Sequence, residues 1–150
     1  MTTVDVTEAS ANDHSVFERL LELYRYDFSV FDGADVDGRG VYGYPYLDRY
    51  WVEPERHAFL VRVDGRVAGF ALVRAGDPHD MAEFFVMRKY RRDGTGTRVA
   101  RNVFARFPGN WQVRQLRTNE PAQRFWRRAI PVPFVEDEWE QGPMQRFTIG

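Results

Sequence analysis

The chain has 150 residues, of which 43% are hydrophobic and 15% aromatic, with a formal net charge of −1. This size and composition suit one domain with its own core and exclude a disordered polar chain. The absence of cysteine excludes a disulfide framework, a thiolate metal site and a cysteine nucleophile.

Met1 to Asp13 carries neither a basic leader region nor an apolar one, and no run approaches the length of a membrane span. The expectation is a cytoplasmic protein with no membrane partner. The charge is unevenly spread. Arg88 to Arg128 holds twelve basic and two acidic residues, leaving nine basic and twenty acidic elsewhere. A basic block inside an acidic chain suggests an anionic ligand on one part and a cationic one on the other.

Thr3 to Thr7 alternates around Val4 and Val6 and predicts a short first strand. Ser10 to Asp13 offers helix caps, and Phe17, Leu20, Leu21, Tyr24 and Phe28 then mark one face of an amphipathic helix. Ser29 to Glu55 breaks the pattern with Asp32-Gly33, Asp37-Gly38 and Gly40. It reads as a long loop with a short helix near Leu47 to Trp51. Its tyrosines and carboxylates suit either a binding loop or an aromatic cover over the core.

Ala58 to Val63 and Arg66 to Arg74 flank Asp64-Gly65, a strong hairpin signal. After the Gly76-Asp77-Pro78 turn, Met81 to Met87 is a third consecutive strand. A glycine-bearing turn follows, Arg91-Arg92-Asp93-Gly94-Thr95-Gly96, and then a helix to Phe107, stopped by Pro108-Gly109. Such a turn can cradle a phosphate, because glycines admit an anion to the backbone and the helix directs unpaired N–H groups at it. By itself it is a weak signal that an ordinary strand-to-helix connection also matches. Trp111 to Thr118 reads as another strand. Asn119 caps a helix carrying Ala122, Phe125, Trp126 and Ala129, and two strands around Gly142-Pro143 finish the chain. The predicted fold is α/β (α+β) with a mixed sheet: three hairpin-linked strands, then strand–helix–strand.

This order resembles the GNAT (GCN5-related N-acetyltransferase) superfamily over essentially the whole chain, residues 1–150 as a single domain. Two motifs carry the resemblance: an apolar strand leading into Arg91-x-x-Gly94-x-Gly96, and Asn119-x-x-Ala122-x-x-Phe125-Trp126 at the last helix. The resemblance implies acetyl-CoA as co-substrate, no metal, a small-molecule amine as partner, and an assembly that extends to a homodimer. By position, Arg91, Arg92, Asp93, Gly94, Thr95 and Gly96 would wrap the pyrophosphate. Val86 and Met87 would pair their backbone with the pantetheine arm, and Asn119 and Phe125 would lie near the thioester.

Attack by an amine on a thioester needs a base, and donors for the oxyanion. The resemblance directs attention to a carboxylate on the fourth strand. Glu83 is preferred over Asp80, since a carboxylate inside an apolar run is costly without a role or a partner. With strict alternation Glu83 and Val86 would face opposite sides, a count that a bulge would change. Trp126 departs from the family pattern, because an indole N–H cannot protonate a thiolate as a phenol can. The acidic, aromatic Asp27-to-Glu53 stretch suggests a small cationic amine as acceptor.

Rival readings fit less well. A dinucleotide fold lacks its third glycine, with Val99 in that place, and a Walker loop lacks its Gly-Lys-Ser/Thr end. His14, His57 and His79 have no ligand spacing. The arginines are too dispersed for a nucleic-acid tract. The competing class is a GNAT-like module that binds acyl-CoA without transferring it.

Overall fold

The computed structural model describes residues 2–150. The elements run β1 (Val4–Glu8), α1 (His14–Asp32), α2 (Arg49–Val52), β2 (Arg56–Val63), β3 (Arg66–Arg74) and β4 (His79–Val86). They continue with α3 (Thr95–Arg106), β5 (Gly109–Arg114), α4 (Glu120–Ala129), β6 (Val135–Trp139) and β7 (Gly142–Ile149). Among the described residues no helix is long and apolar enough to cross a membrane.

One seven-stranded sheet has the order β1-β2-β3-β4-β5-β7-β6. Only β4 and β5 pair in parallel, as their linkage through α3 demands; the other neighbours are antiparallel. Period-2 alternation sends Phe59, Val61, Ala71 and Val73 to one face, where α3 and α4 cover them. Leu60, Phe70 and Leu72 face the other side, under α1 and α2. Phe104, with zero exposure, anchors the α3 side, and Phe17 does so for α1.

Several boundaries differ from the sequence reading, and three of the differences have a plain cause. Helix α1 does not stop before Ser29 but runs to Asp32, because Gly33 (φ 73°) forms a left-handed cap and returns its N–H to the Ser29 carbonyl at 2.8 Å. Asp32-Gly33 is therefore a helix stop rather than the interior of a loop. Strand β4 begins two residues early, at His79, where it pairs with Trp111 of β5. Strand β5 ends at Arg114 rather than Thr118. Beyond it the chain stays tied to the β6–β7 turn, through Gln115 N–H to the Pro143 carbonyl and Arg117 N–H to the Gln141 carbonyl.

Two irregularities in β4 set up the site. Its pairing with β5 is confined to His79–Trp111 and Asp80–Gln112, after which the strands diverge. Its register with β3 jumps between Val73–Met81 and Leu72–Glu83, leaving Ala82 as the extra residue of a bulge. The bulge moves Met81 to the α3 face, while Phe85, four residues on, packs on the α1 face.

Candidate active site

Glu83 follows the bulge and shares the α1 face with Phe85. The bulge lies before Glu83, so alternation holds from there to Val86, and those two residues do face opposite sides. Two phenols reach the carboxylate: Tyr24 of α1 donates to Oε1 at 2.6 Å, and Tyr44 donates to Oε2 at 3.0 Å. Burial raises the pKa of Glu83 above the ordinary carboxylate value, and the two hydrogen bonds, with the Arg25 charge, partly oppose the rise. Burial and the adjacent carboxylate drive the Tyr24 and Tyr44 hydroxyls upward, so both stay protonated and act as donors.

Tyr44 arrives on a loop that α1 holds. Glu22 accepts the N–H groups of Tyr42 and Gly43 at 2.8 and 2.7 Å, and Arg25 donates to the Gly43 carbonyl at 3.0 Å. One helix thus supplies Tyr24 directly and fixes Tyr44 through the loop. Glu83 opens onto a cavity of about 180 Å³ whose wall includes Tyr50, Arg56, Arg74, Asp80 and Arg114. Asp80, 2% exposed, accepts from Arg114 at 2.9 Å and from Gln112 at 3.3 Å, which assigns it to an ion pair rather than to a free base.

On the far side of Glu83 lies the gap between β4 and β5. Met87 N–H bonds to the Ala68 carbonyl at 2.8 Å, so the antiparallel ladder turns the N–H and C=O groups of Phe84 and Val86 away from β3, toward the gap. Val86 therefore keeps an N–H facing the gap, while its carbonyl accepts Arg91 Nε at 2.6 Å. Met87 differs from the expectation for it: its N–H is committed to β3 and its carbonyl accepts Tyr90 N–H at 2.9 Å, so neither group faces the gap unengaged.

The turn after β4 has two left-handed residues, Arg92 (φ 77°) and Gly94 (φ 83°). Gly94 caps α3, and Asp93 accepts the Thr95 hydroxyl at 2.7 Å. The two glycines have different duties. Gly94 supplies the positive φ, with open space around it. A Cβ on Gly96 would lie 2.9 Å from Phe125 Cε1, so Gly96 is small because α4 packs there. The first-turn N–H groups of α3 have no intrahelical acceptor and look out over this turn.

Asn119 caps α4 by accepting Ala122 N–H at 3.2 Å. Phe125 stacks on Phe84 with centroids 5.6 Å apart, which ties α4 to the gap-facing part of β4. Trp126 is 6% exposed and packs edge-on against Phe84, with Phe104 and Phe125 around it, so it is a core residue.

Much of the basic block is engaged within the fold. Arg88 and Arg91 both pair with Asp27 at 2.8 Å, an interaction that holds the Asp27 carboxyl below the usual range despite partial burial. Arg101 closes the end of α4 through the Ala129 carbonyl at 3.0 Å, Arg106 bonds to the Val6 carbonyl, and Arg127 pairs with Glu136. Arg92, exposed on the turn, makes no ion pair or side-chain hydrogen bond among the described residues and remains available to an anion. The histidines are occupied separately, His14 with Asp48 and Glu18, His57 with Glu8, and His79 with the Pro108 carbonyl.

Tyr24 escaped the sequence reading because its helical spacing matched a core position, and the ring does pack on Phe70 and Phe85. Only its hydroxyl reaches Glu83, and periodicity is blind to the tip of a tyrosine. The arginines of the cavity wall escaped because Arg56, Arg74 and Arg114 lie on three different strands.

A sequence model of the acetyltransferase (GNAT) family matches residues 17–130. No curated protein sequence matches the chain. Among solved structures, an acetyltransferase from Thermus thermophilus is similar with a TM-score of 0.77 at 16% identity, over 98% of this chain and 97% of that one. The PaiA N-acetyltransferase of Thermoplasma acidophilum in complex with coenzyme A has a TM-score of 0.66 at 10% identity, over 97% and 99%. Spermidine N-acetyltransferase from Vibrio cholerae in complex with CoA and spermine has a TM-score of 0.67 at 8% identity, over 95% and 92%.

Proposed function

The chain belongs to the GNAT acetyltransferase family, and from that premise we propose that it moves an acetyl group from acetyl-CoA to the primary amine of a small molecule. The observation that carries this reading is Glu83, held by two phenols between a cavity on one side and the β4–β5 gap on the other. The gap offers the Val86 N–H to the pantetheine arm. The Arg91–Gly96 turn, with the start of α3 and the Arg92 side chain, suits the pyrophosphate. Asn119 and Phe125 support the cleft through the α4 cap and the stack on Phe84 rather than through a free polar group.

In the proposed reaction Glu83 takes a proton from the ammonium group of the acceptor, and the freed lone pair attacks the thioester carbonyl carbon. The new C–N bond leaves negative charge on the carbonyl oxygen, which a gap-facing N–H of β4 stabilises. Collapse breaks the C–S bond. With Trp126 in the core, the departing thiolate takes its proton from the attacking nitrogen or from solvent. Tyr24 and Tyr44 keep their protons and hold the carboxylate in place.

The acidic stretch that suggested a cationic acceptor is largely engaged by its own surroundings. Asp27 is taken by Arg88 and Arg91, Glu53 by Arg56, and Asp37 by the N–H groups of Arg39 and Val41. A larger hollow beside α1, about 430 Å³ and lined by Tyr26, Asp27, Asp35 and Tyr42, retains aromatic and acidic character but does not include Glu83.

The buried Trp126 favours one second reading, a domain that binds CoA without transfer. Release of free thiol from acetyl-CoA across a broad amine panel decides between them. Turnover that depends on Glu83 supports the enzyme. Thermal stabilisation by CoA without turnover, unchanged in Glu83→Gln, supports the binding module.

A further inference from the structure

The cavity at Glu83 has an unbalanced wall. Four arginines line it, Arg49, Arg56, Arg74 and Arg114, against two carboxylates, Asp80 and Glu83. Arg114 is matched by Asp80 at 2.9 Å. Arg56 and Arg49 share Glu53, at 3.2 and 3.7 Å. Arg74 has no ion pair or side-chain hydrogen bond among the described residues.

A second group on the same wall is also unmatched. Tyr50 is 7% exposed, and its buried hydroxyl, although the Arg56 guanidinium and the Tyr44 hydroxyl lie near it, closes no hydrogen bond of good geometry among the described residues. Leaving a buried hydroxyl unpaired is costly, so an unmatched one beside a cavity marks a place where a ligand completes the bonding. The Arg56 guanidinium lies 5.4 Å from the centre of the Tyr50 ring, which brings that cation to the same corner. Both groups, a guanidinium and a hydroxyl, can donate, and a wholly cationic acceptor would meet a wall with more guanidinium groups than carboxylates.

We infer that the acceptor carries an anionic group, a carboxylate or a phosphate, which Arg74, Arg56 and the Tyr50 hydroxyl hold while its amine faces Glu83. The inference deepens the N-acetyltransferase reading and, for the amine, rests on it. A zwitterionic small molecule fits both ends of the cavity: its anion meets the guanidinium groups, and its ammonium meets the one carboxylate on the wall without an arginine partner. Arginine suits this task because its fixed fork of N–H groups matches the paired oxygens of a carboxylate or phosphate.

The test has two arms. In the first, inorganic phosphate or acetate is titrated into the protein saturated with CoA, so that the pyrophosphate turn is filled, and thermal stability is read. Wild type should be stabilised by at least one of the two, and Arg74→Gln and Tyr50→Phe should lose that response. No response in wild type, or an equal response in both variants, overturns the inference whatever the enzyme does. In the second arm, kcat/KM is measured for matched amines: phosphoethanolamine against ethanolamine, and α-amino acids against their decarboxylated amines.

The anion-bearing member should be preferred by about tenfold to a hundredfold, mainly through KM, as a charge-assisted hydrogen bond predicts. Arg74→Gln should bring the ratio toward one, and Arg74→Lys should restore part of it. Preference for spermine or for neutral amines, independent of Arg74, overturns the inference. Anion binding that requires Arg74, without acetylation of any amine, upholds the anion site and removes the acetyl-transfer reading instead.

Discussion

The hydroxyl of Tyr24 lies 2.6 Å from Oε1 of Glu83, although the two residues are 59 positions apart. A helix crossing one face of the sheet delivers a proton donor to a carboxylate that would otherwise be buried without enough partners. Tyr44, from a loop that the same helix restrains, takes the second oxygen. The pair leaves Glu83 ionisable and fixed, the condition for a base that works without moving.

Replacing Glu83 with glutamine keeps the shape and an acceptor for one tyrosine but removes the proposed base. The expected loss in kcat is about 10²- to 10⁴-fold. Stabilisation by CoA should persist, because the turn and the gap are untouched. Thiol release and thermal shift on the same preparation check both halves.

The pH dependence follows from the upward shift of Glu83, whose main cause is burial. The acid limb of kcat/KM should fall at a pH above the ordinary carboxylate range. Tyr24→Phe removes a donor that favours the charged form and should move that limb higher still. For stability the sign is the reverse of an ordinary paired carboxylate. Native Glu83 holds its proton more tightly than the unfolded chain does. Its contribution is therefore full below the unfolded value and is lost as pH rises through the raised one. Melting curves of wild type and Glu83→Gln across that window should separate as pH increases, with the glutamine variant relatively more stable.

Glu22 touches none of the reacting groups but holds Tyr42 and Gly43 through two backbone N–H groups. Glu22→Ala should cost about 1.5–3 kcal/mol of stability, the range for a hydrogen bond to a charged group. It should also release Tyr44 from Glu83. A displaced acid limb, in the same direction as in Tyr44→Phe, distinguishes this positioning role from simple destabilisation.

Gly94 and Gly96 should fail for different reasons. Gly94→Val forces a β-branched residue to φ 83°, a strain of about 1–2 kcal/mol, and disturbs the turn proposed to meet CoA. Gly96→Ala instead presses on Phe125, with an overpacking cost of about 1–3 kcal/mol. Phe125→Leu should recover part of the loss for Gly96→Ala and none for Gly94→Val. Chemical denaturation of the single and double variants measures the coupling.

Most of the element order was legible because the signals are local. Asp64-Gly65 marked the hairpin, Pro108-Gly109 marked the end of α3, and Asn119 marked the start of α4. Boundaries were missed where a local signal has two meanings. Asp32-Gly33 reads equally as loop or as helix cap, and only the continuation of α1 through Phe31 decides between them. Glu83 could be picked out as a carboxylate in an apolar run, but its partners could not, since they come from α1 and a loop whose folding against β4 leaves no periodic trace.

The sequence by itself determined the order of strands and helices, the glycine turn ahead of α3 and the two motifs that carry the family resemblance. Each of these depends on neighbours within a few positions. The tertiary structure alone decided which charges remain free. It cancelled Asp27 against Arg88 and Arg91, buried Trp126, committed the Met87 N–H to β3, and brought Arg56, Arg74 and Arg114 from three strands to the cavity at Glu83. Charge acts through space over several ångströms, so a carboxylate or an arginine acquires its chemical meaning only when the sheet has closed around it.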